Sequence, residues 1–470
     1  MNLKGISFYL SLICFPISIL AFINILYASY FDYFLSIDTY FSTLVISLII
    51  SAGFFYYGKN SKKNIDFIEQ LILVIISYFL TSLLIAIPFY LSNYQVTFIN
   101  SIFESVSGLT GTGFSIFKDI KYLDPTLILW RSSSQWFGGL FFLFFLIIIF
   151  SNKSFNYKMT NLSYSGDNNF KSEENIKDNL LRIFIIYSVL SIIILSLLNL
   201  TGVRLFNSLN ITMTLVSGGG FLPTESIEKI ISTNFQKIVL IFSLIISMLN
   251  FYLLFNIFNK NTLIKEHKED LYLLVLSIIF CLFIYFNNYQ GLDLMISVVS
   301  SLANSGLTLM ESNNNLSLYF LLITIIGGSL VSNSSGIKLT RLYILLKITS
   351  LEIIKLISPN SVINKTIFNS DKKISDEHVK ISFLIFISFF LSLFILSSLL
   401  VVDNIGFERS FKLSILTLTN TVNSEIFNMQ NLNFTNLLTS SKISLILFMI
   451  IGKIELISIF LIFKKILFKD

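Results

Sequence analysis

The groups best placed for chemistry in this chain are backbone carbonyls, and they cluster in Ser107-Gly108-Leu109-Thr110-Gly111-Thr112-Gly113-Phe114. Glycine lets a backbone turn its carbonyl oxygens toward an axis, where they replace the water around a cation. One Gly/Thr-rich stretch is equally a turn between two helices, and repetition separates the readings. Ser217-Gly218-Gly219-Gly220-Phe221 and Ala303-Asn304-Ser305-Gly306-Leu307 follow similar short segments, and Thr419-Asn420-Thr421-Val422-Asn423 makes a weaker fourth. Four such units in one chain build a closed ring around one axis, which reads as a cation pathway. The carbonyls assigned to it belong to Thr110, Gly111, Thr112 and Gly113, then to Ser217, Gly218, Gly219 and Gly220. Those of Ala303, Asn304, Ser305 and Gly306 follow, and finally those of Asn420, Thr421, Val422 and Asn423. Gly113, Gly220 and Gly306 are expected at positive φ. Selection among monovalent cations then depends on cavity size or on the number and field of the dipoles.

The elements that position these turns are legible from apolar runs. Each turn ends a short half-apolar segment: 98–109, 205–216, 292–302 and 408–418. At 1.5 Å rise per residue, about a dozen residues are too few to cross ~30 Å of hydrocarbon, so the segments are re-entrant. Outer helices are expected at 67–92, 181–203, 270–287 and 380–402, and inner helices at 126–150, 236–258, 318–347 and 441–468. Spans 6–30 and 38–57 form an N-terminal hairpin. The expected fold is an all-α polytopic membrane protein with ten crossings and four re-entrant segments. Its divisions are the hairpin at 1–65, pore repeat one at 66–152, a cytoplasmic linker with repeat two at 153–259, repeat three at 260–350, and a second linker with repeat four at 351–470.

Composition agrees. Of 470 residues, 54% are hydrophobic and 13% charged, about half the charged share of a soluble domain. A β-barrel is excluded because its strands alternate in polarity. The net charge of +6 comes mostly from lysines in short loops and is no sign of nucleic-acid binding. Cys14 and Cys281 both sit in apolar runs, which argues against a structural disulfide. The apolar N-terminus is too long for a signal-peptide core and reads as a retained span. The only histidines, His267 and His378, fall in loops, so neither an enzyme, a metal cluster nor a cofactor is expected. Lysine groups at 4, 59–63, 153–177, 260–268, 355–380 and 464–469 fall on one side under the ten-crossing scheme. The basic side faces the cytoplasm, which puts both termini there and opens the turns outward.

Three further features stand out. The third inner run is interrupted over 327–336 by Gly, Ser and Asn, a pattern tolerated at membrane depth only when buried in protein or lining a cavity; otherwise it is a plain helix kink. Lys453 lies inside an apolar run, where a charge is costly and usually functional, and about 12 residues, ~18 Å of helix, separate it from Lys465 at the interface. Glu104 and Glu425 lie near the mouth of the turns, where they attract cations or are solvated loop carboxylates, the simpler reading. Asp293 and Glu455 are unassigned.

At this point the chain resembles the membrane subunit of the bacterial Trk potassium-uptake system, in the wider Trk/Ktr/HKT superfamily. The resemblance rests on Trp130-Arg131-Ser132-Ser133-Ser134-Gln135-Trp136-Phe137-Gly138-Gly139, on Gly218-Gly219-Gly220-Phe221, on Gly327-Gly328-Ser329 with Ser335-Gly336-Ile337-Lys338 and Arg341, and on Gly452-Lys453-Ile454-Glu455. It implies potassium uptake across the bacterial inner membrane and a homodimer with one pore per protomer. It also implies a cytoplasmic nucleotide-binding Trk A-type regulatory subunit. The interrupted run becomes a gate, with Gly327, Gly328, Gly336, Lys338 and Lys453 as its residues. The family has arginine where Lys453 stands, facing the cavity and holding the gating loop; lysine lacks the planar fork. It has glycine where Asn423 is placed, and Asn tolerates the left-handed region. That departure motivates the first alternative, a sodium-permeable or weakly selective pathway. A second is a non-conducting membrane scaffold or sensor.

Overall fold

The computed structural model describes residues 2–61, 65–150, 176–258, 267–285, 291–310, 316–358, 365–368, 373–429 and 432–454. The expected first linker over 151–175, and Glu455 with the rest of the stretch expected as the last inner helix, lie outside this set. All the regular elements among the described residues are helices.

The chain opens with a hairpin of Leu3–Tyr30 and Phe34–Gly58. The two backbones meet at Gly58, where a Cβ would stand 2.5 Å from the Phe8 nitrogen. Repeat one has an outer helix at Phe67–Leu91, a short helix at Phe98–Thr110 and an inner helix at Pro125–Phe150. Repeat two follows with Ile176–Leu200, Leu205–Val216 and Asn234–Met248, the last continuing after a bend as Phe251–Phe258. Repeat three has Lys268–Tyr285, Gly291–Leu302 and an inner helix split into Ser317–Ile326 and Leu339–Ile357. Repeat four has Asp376–Val402, Phe407–Leu418 and Thr439–Ile454. Local sequence sets the starts. At the second inner helix the Gln236 N–H donates to Thr233 Oγ1 at 3.3 Å and the Thr233 N–H to Gln236 Oε1 at 3.1 Å, a reciprocal cap.

Among the described residues, five helices are long and apolar enough to cross a membrane, and a sixth if the bent second inner helix counts as one. Of the other four expected crossings, the third outer helix opens on Lys268-Glu269-Asp270 and the third inner helix is broken, while the first and last inner helices continue toward residues outside the described set. The second inner helix corrects an expectation: instead of running unbroken over 236–258 it bends by 107° after Met248. Asn250 is the cause. Its Oδ1 accepts the Tyr252 N–H at 3.0 Å, capping a new helix rather than continuing the old one.

The inner helices touch the short helices backbone to backbone. A Cβ on Gly138 would overlap the Leu109 carbonyl, and one on Gly452 would lie 2.5 Å from the Leu418 carbonyl oxygen. Leu109 and Leu418 are each two residues before the turn residue at positive φ, so the same contact recurs in repeats one and four.

Candidate cation pathway

Each short helix ends on a residue in the left-handed region: Gly111 (φ 78°), Gly218 (68°), Asn304 (59°) and Asn420 (49°). Glycine is the default there and asparagine the usual substitute. Hydrogen bonds fix the register. The amides of Gly218, Asn304 and Asn420 donate three residues back, to Leu215, Ser301 and Thr417. The next amides, of Gly219, Ser305 and Thr421, donate five back, to Thr214, Ser300 and Leu416. A hydroxyl then straps three of the turns shut. Ser107 Oγ donates to the Phe114 carbonyl at 2.6 Å, Thr214 Oγ1 to Phe221 at 2.9 Å and Ser300 Oγ to Leu307 at 2.5 Å.

This register moves the fourth turn. Thr419, Asn420, Thr421 and Val422 correspond to Thr110 through Gly113, and Asn423 corresponds to Phe114. Asn423 is not among the residues at positive φ, and neither is Gly220, whereas Gly113 (81°) and Gly306 (67°) are. The residue in the glycine position of the fourth turn is therefore Val422. At the strap position stands Leu416, which has no hydroxyl.

The four turns, spread over more than 300 residues of sequence, meet around one axis. A Cβ on Gly113 would lie 2.9 Å from Gly220 Cα, one on Gly220 2.9 Å from the Ser305 carbonyl oxygen, and one on Gly306 2.8 Å from the Val422 carbonyl oxygen. Side chains tie neighbours together. Asn304 Nδ2 donates to Thr421 Oγ1 at 3.3 Å, and Asn420 Nδ2 to Thr112 Oγ1 at 3.0 Å. Gln135 of the first inner helix accepts the Phe221 N–H at 3.2 Å. Gly113, Gly220, Gly306 and Val422 floor a cavity of about 550 Å³ whose wall includes Glu225, Glu228 and Glu425.

Glu104 is fully buried, which corrects its reading as a solvated carboxylate. Arg131 Nε donates to its Oε1 at 2.8 Å, and the Ile116 N–H to its Oε2 at 2.8 Å. The guanidinium also donates to Ser115 Oγ at 3.0 Å and lies 4.2 Å from the centre of the Phe221 ring. One buried pair thus braces the exits of the first two turns. Sequence reasoning missed it because the partners sit 27 residues apart. Asp293 faces Lys237 across 2.5 Å, and Glu425 is half-buried in the cavity wall.

Beneath the turns lies the interruption of the third inner helix, irregular over 327–338 and almost wholly buried. Gly327 (φ 69°) and Gly336 (84°) stand at its two ends, where a Cβ on Gly327 would collide with the Ser335 carbonyl. The Gly328 N–H donates to Ser334 Oγ at 3.0 Å. Lys338, at φ 77°, points its ammonium back into the loop, onto the Ser334 carbonyl and Ser332 Oγ. The loop reaches the ring at two points: Asn333 Nδ2 donates to the Val216 carbonyl at 2.8 Å, and Ser335 Oγ to Asn420 Oδ1 at 2.9 Å. Lys453 Nζ donates to the Asn333 carbonyl at 2.8 Å and lies 4.7 Å from the centre of the Phe142 ring. The lysine is buried, so it does not reach for the membrane interface. The five residues assigned to this region by sequence therefore come together, all but Lys453 on the loop itself.

The loop is also clasped from behind. The Leu330 N–H donates to Glu269 Oε1 at 3.0 Å, and the Asn250 N–H to Asp270 Oδ1 at 2.8 Å. The two breaks pair directly as well, through Ser329 N–H to the Met248 carbonyl (3.0 Å) and Phe251 N–H to the Val331 carbonyl (2.7 Å). Neither acid was singled out from sequence. A charged pair at the start of an apolar run was the available signal.

This is a polytopic, all-helical membrane protein in which four re-entrant turns share one axis. The TrkH family model, described as a cation transport protein, matches residues 36–275, and the chain belongs to that family. It is 25% identical over 452 residues to an uncharacterized cation transporter of Methanocaldococcus jannaschii, covering 92% of this chain and 90% of that one. It is 27% identical over 455 residues to the Trk system potassium uptake protein TrkG of Escherichia coli, covering 91% of each. The crystal structure of the potassium transporter TrkH from Vibrio parahaemolyticus superposes with a TM-score of 0.87 at 18% identity, over 98% of both chains. The protein is a transporter by family and not an enzyme.

Proposed function

We propose that the protein carries potassium inward across the bacterial inner membrane, through the ring of turns, down the electrochemical gradient. The observation that carries this reading is the convergence of four helix-ended turns on one axis at the floor of a cavity walled by Glu225, Glu228 and Glu425. Carbonyls of residues 110–113, 217–220, 303–306 and 419–422 replace the ion's water. The carboxylates concentrate cations at the mouth. The potassium uptake named for the E. coli relatives supports the choice of ion.

The loop at 327–338 is the gate in this reading, with Gly327, Gly328, Gly336 and Lys338 shaping it and Lys453 holding it closed. A side chain on Gly111 would stand 3.9 Å from Lys453 Nζ, so the ammonium sits close under the first turn and its charge opposes a cation leaving the ring. The divisions at 1–65, 66–152, 153–259, 260–350 and 351–470 are the hairpin and four repeats. Both termini are cytoplasmic, two protomers associate with one pore each, and a cytoplasmic Trk A-type nucleotide-binding subunit acts on the gate.

The test is flux of potassium and sodium into liposomes carrying the purified protein, with and without Lys453→Ala. Potassium-driven flux that rises in the variant is expected. Equal sodium and potassium flux moves the function to a non-selective pathway. Absence of flux in both folded forms leaves a non-conducting scaffold.

A further inference from the structure

In three of the four turns the residue facing the axis at the cavity floor is glycine, and in the fourth it is Val422. Its side chain does not turn away into the core. A Cβ on Gly220 would meet Val422 Cβ at 2.5 Å, one on Gly113 would meet it at 3.1 Å, and one on Gly306 would meet Val422 Cγ1 at 2.9 Å. A single isopropyl group therefore faces all three glycines at once, which places it at the centre of the ring. Val422 is only partly buried and forms part of the cavity floor, while the apolar residues that follow it, Ile426 and Phe427, are fully buried. An apolar group left partly exposed on the floor of an open cavity gains little from burial. Filling a core does not account for it.

We infer that Val422 is the size-selecting residue of this pathway, an apolar constriction in the outermost ring. The inference rests on the transport reading above. A methyl-bearing carbon offers no lone pair to a cation and occupies space that the ion and its remaining water need. Its cost therefore grows with ionic radius, so potassium is disfavoured less than rubidium, and rubidium less than caesium. The three glycines are the complement, since any side chain on them would collide with this one.

The experiment compares Val422→Gly, Val422→Ala and Val422→Ile by potassium, rubidium and caesium flux into liposomes. The background is wild type or Lys453→Ala, whichever conducts. In the glycine variant, caesium flux relative to potassium is expected to rise about tenfold, the low end of what one or two methyl groups contribute in a pocket. The alanine variant should lie between, and the isoleucine variant should fall below wild type. The alanine form carries the test where the glycine form does not fold. An unchanged order and ratio of the three ions in folded, conducting alanine and isoleucine variants would overturn the inference and leave transport standing. Absence of flux in both backgrounds removes the transport reading, and this inference with it.

Discussion

Lys453 Nζ donates to the main-chain carbonyl of Asn333 at 2.8 Å, across 120 residues of sequence. The same Asn333 uses its side-chain amide to hold the carbonyl of Val216, the residue just before the second turn. A buried ammonium thus holds the loop at the point where the loop meets the ring. Lys453→Ala removes both the hydrogen bond and the charge, and an increase in flux of about fivefold or more is expected, the lower end of typical coupling free energies. Hydrogen exchange over 329–335 should accelerate with it. A variant that conducts no faster and exchanges no faster would show that Lys453 does not hold the loop.

The Glu104–Arg131 pair makes a prediction about stability. Removing one partner of a buried ion pair typically costs about 3–5 kcal/mol, because the other is left charged without compensation. Arg131→Met should therefore lower the thermal midpoint in detergent far more than the double change Arg131→Met/Glu104→Met. A double variant whose loss equals the sum of the Arg131→Met and Glu104→Met losses would mean the pair is not coupled.

Glu269 and Asp270 each accept a main-chain N–H at a different break. A buried amide left without its acceptor costs about 1–3 kcal/mol. Asp270→Ala is expected to speed exchange at Asn250 and, through the paired backbones, at Ser329. Asp270→Asn, which keeps an acceptor, should restore most of the protection. Faster exchange confined to Asn250 would show that the breaks move separately.

At the head of the last inner helix, the hydroxyls of Ser441 and Ser440 hold the Asp403 carboxyl below the usual carboxylate range. A carboxylate whose pKa is depressed by folding contributes stability above its unfolded value, about 3.9, and loses that contribution as pH falls through the folded one. The Ser440→Ala/Ser441→Ala variant should melt slightly earlier than wild type at neutral pH and at the same temperature once the carboxyl is protonated. A difference that persists in acid would assign it to packing instead.

The helical framework was legible because bilayer thickness fixes how long an apolar run must be, so the short segments at 98–109 and 408–418 stood out by length alone. The register of the fourth turn was not, although a local signal existed. Ser107, Thr214 and Ser300 each precede a glycine at 113, 220 and 306 by six residues, and the same count from Leu416 reaches Val422. The hydroxyl that marks the pattern is missing in the fourth copy, so Asn423 took the place of its neighbour. The break at Asn250 was hidden in an apolar run, and its partner Asp270 lies 20 residues on. Lys453 was readable because a lone charge in such a run is conspicuous. Glu104 was misread because exposure, unlike charge, belongs to the fold.

The hydroxyl straps also decide how the ring deforms. Three of its sides are stitched from helix to exit strand by Ser107, Thr214 and Ser300, and the side that begins at Leu416 lacks the stitch. That side is held instead through Asn420, to Thr112 across the ring and to the Met449 carbonyl behind it. In the proposed pathway, dilation of the ring by an ion therefore falls on 419–423, the stretch that also bears the bulky side chain.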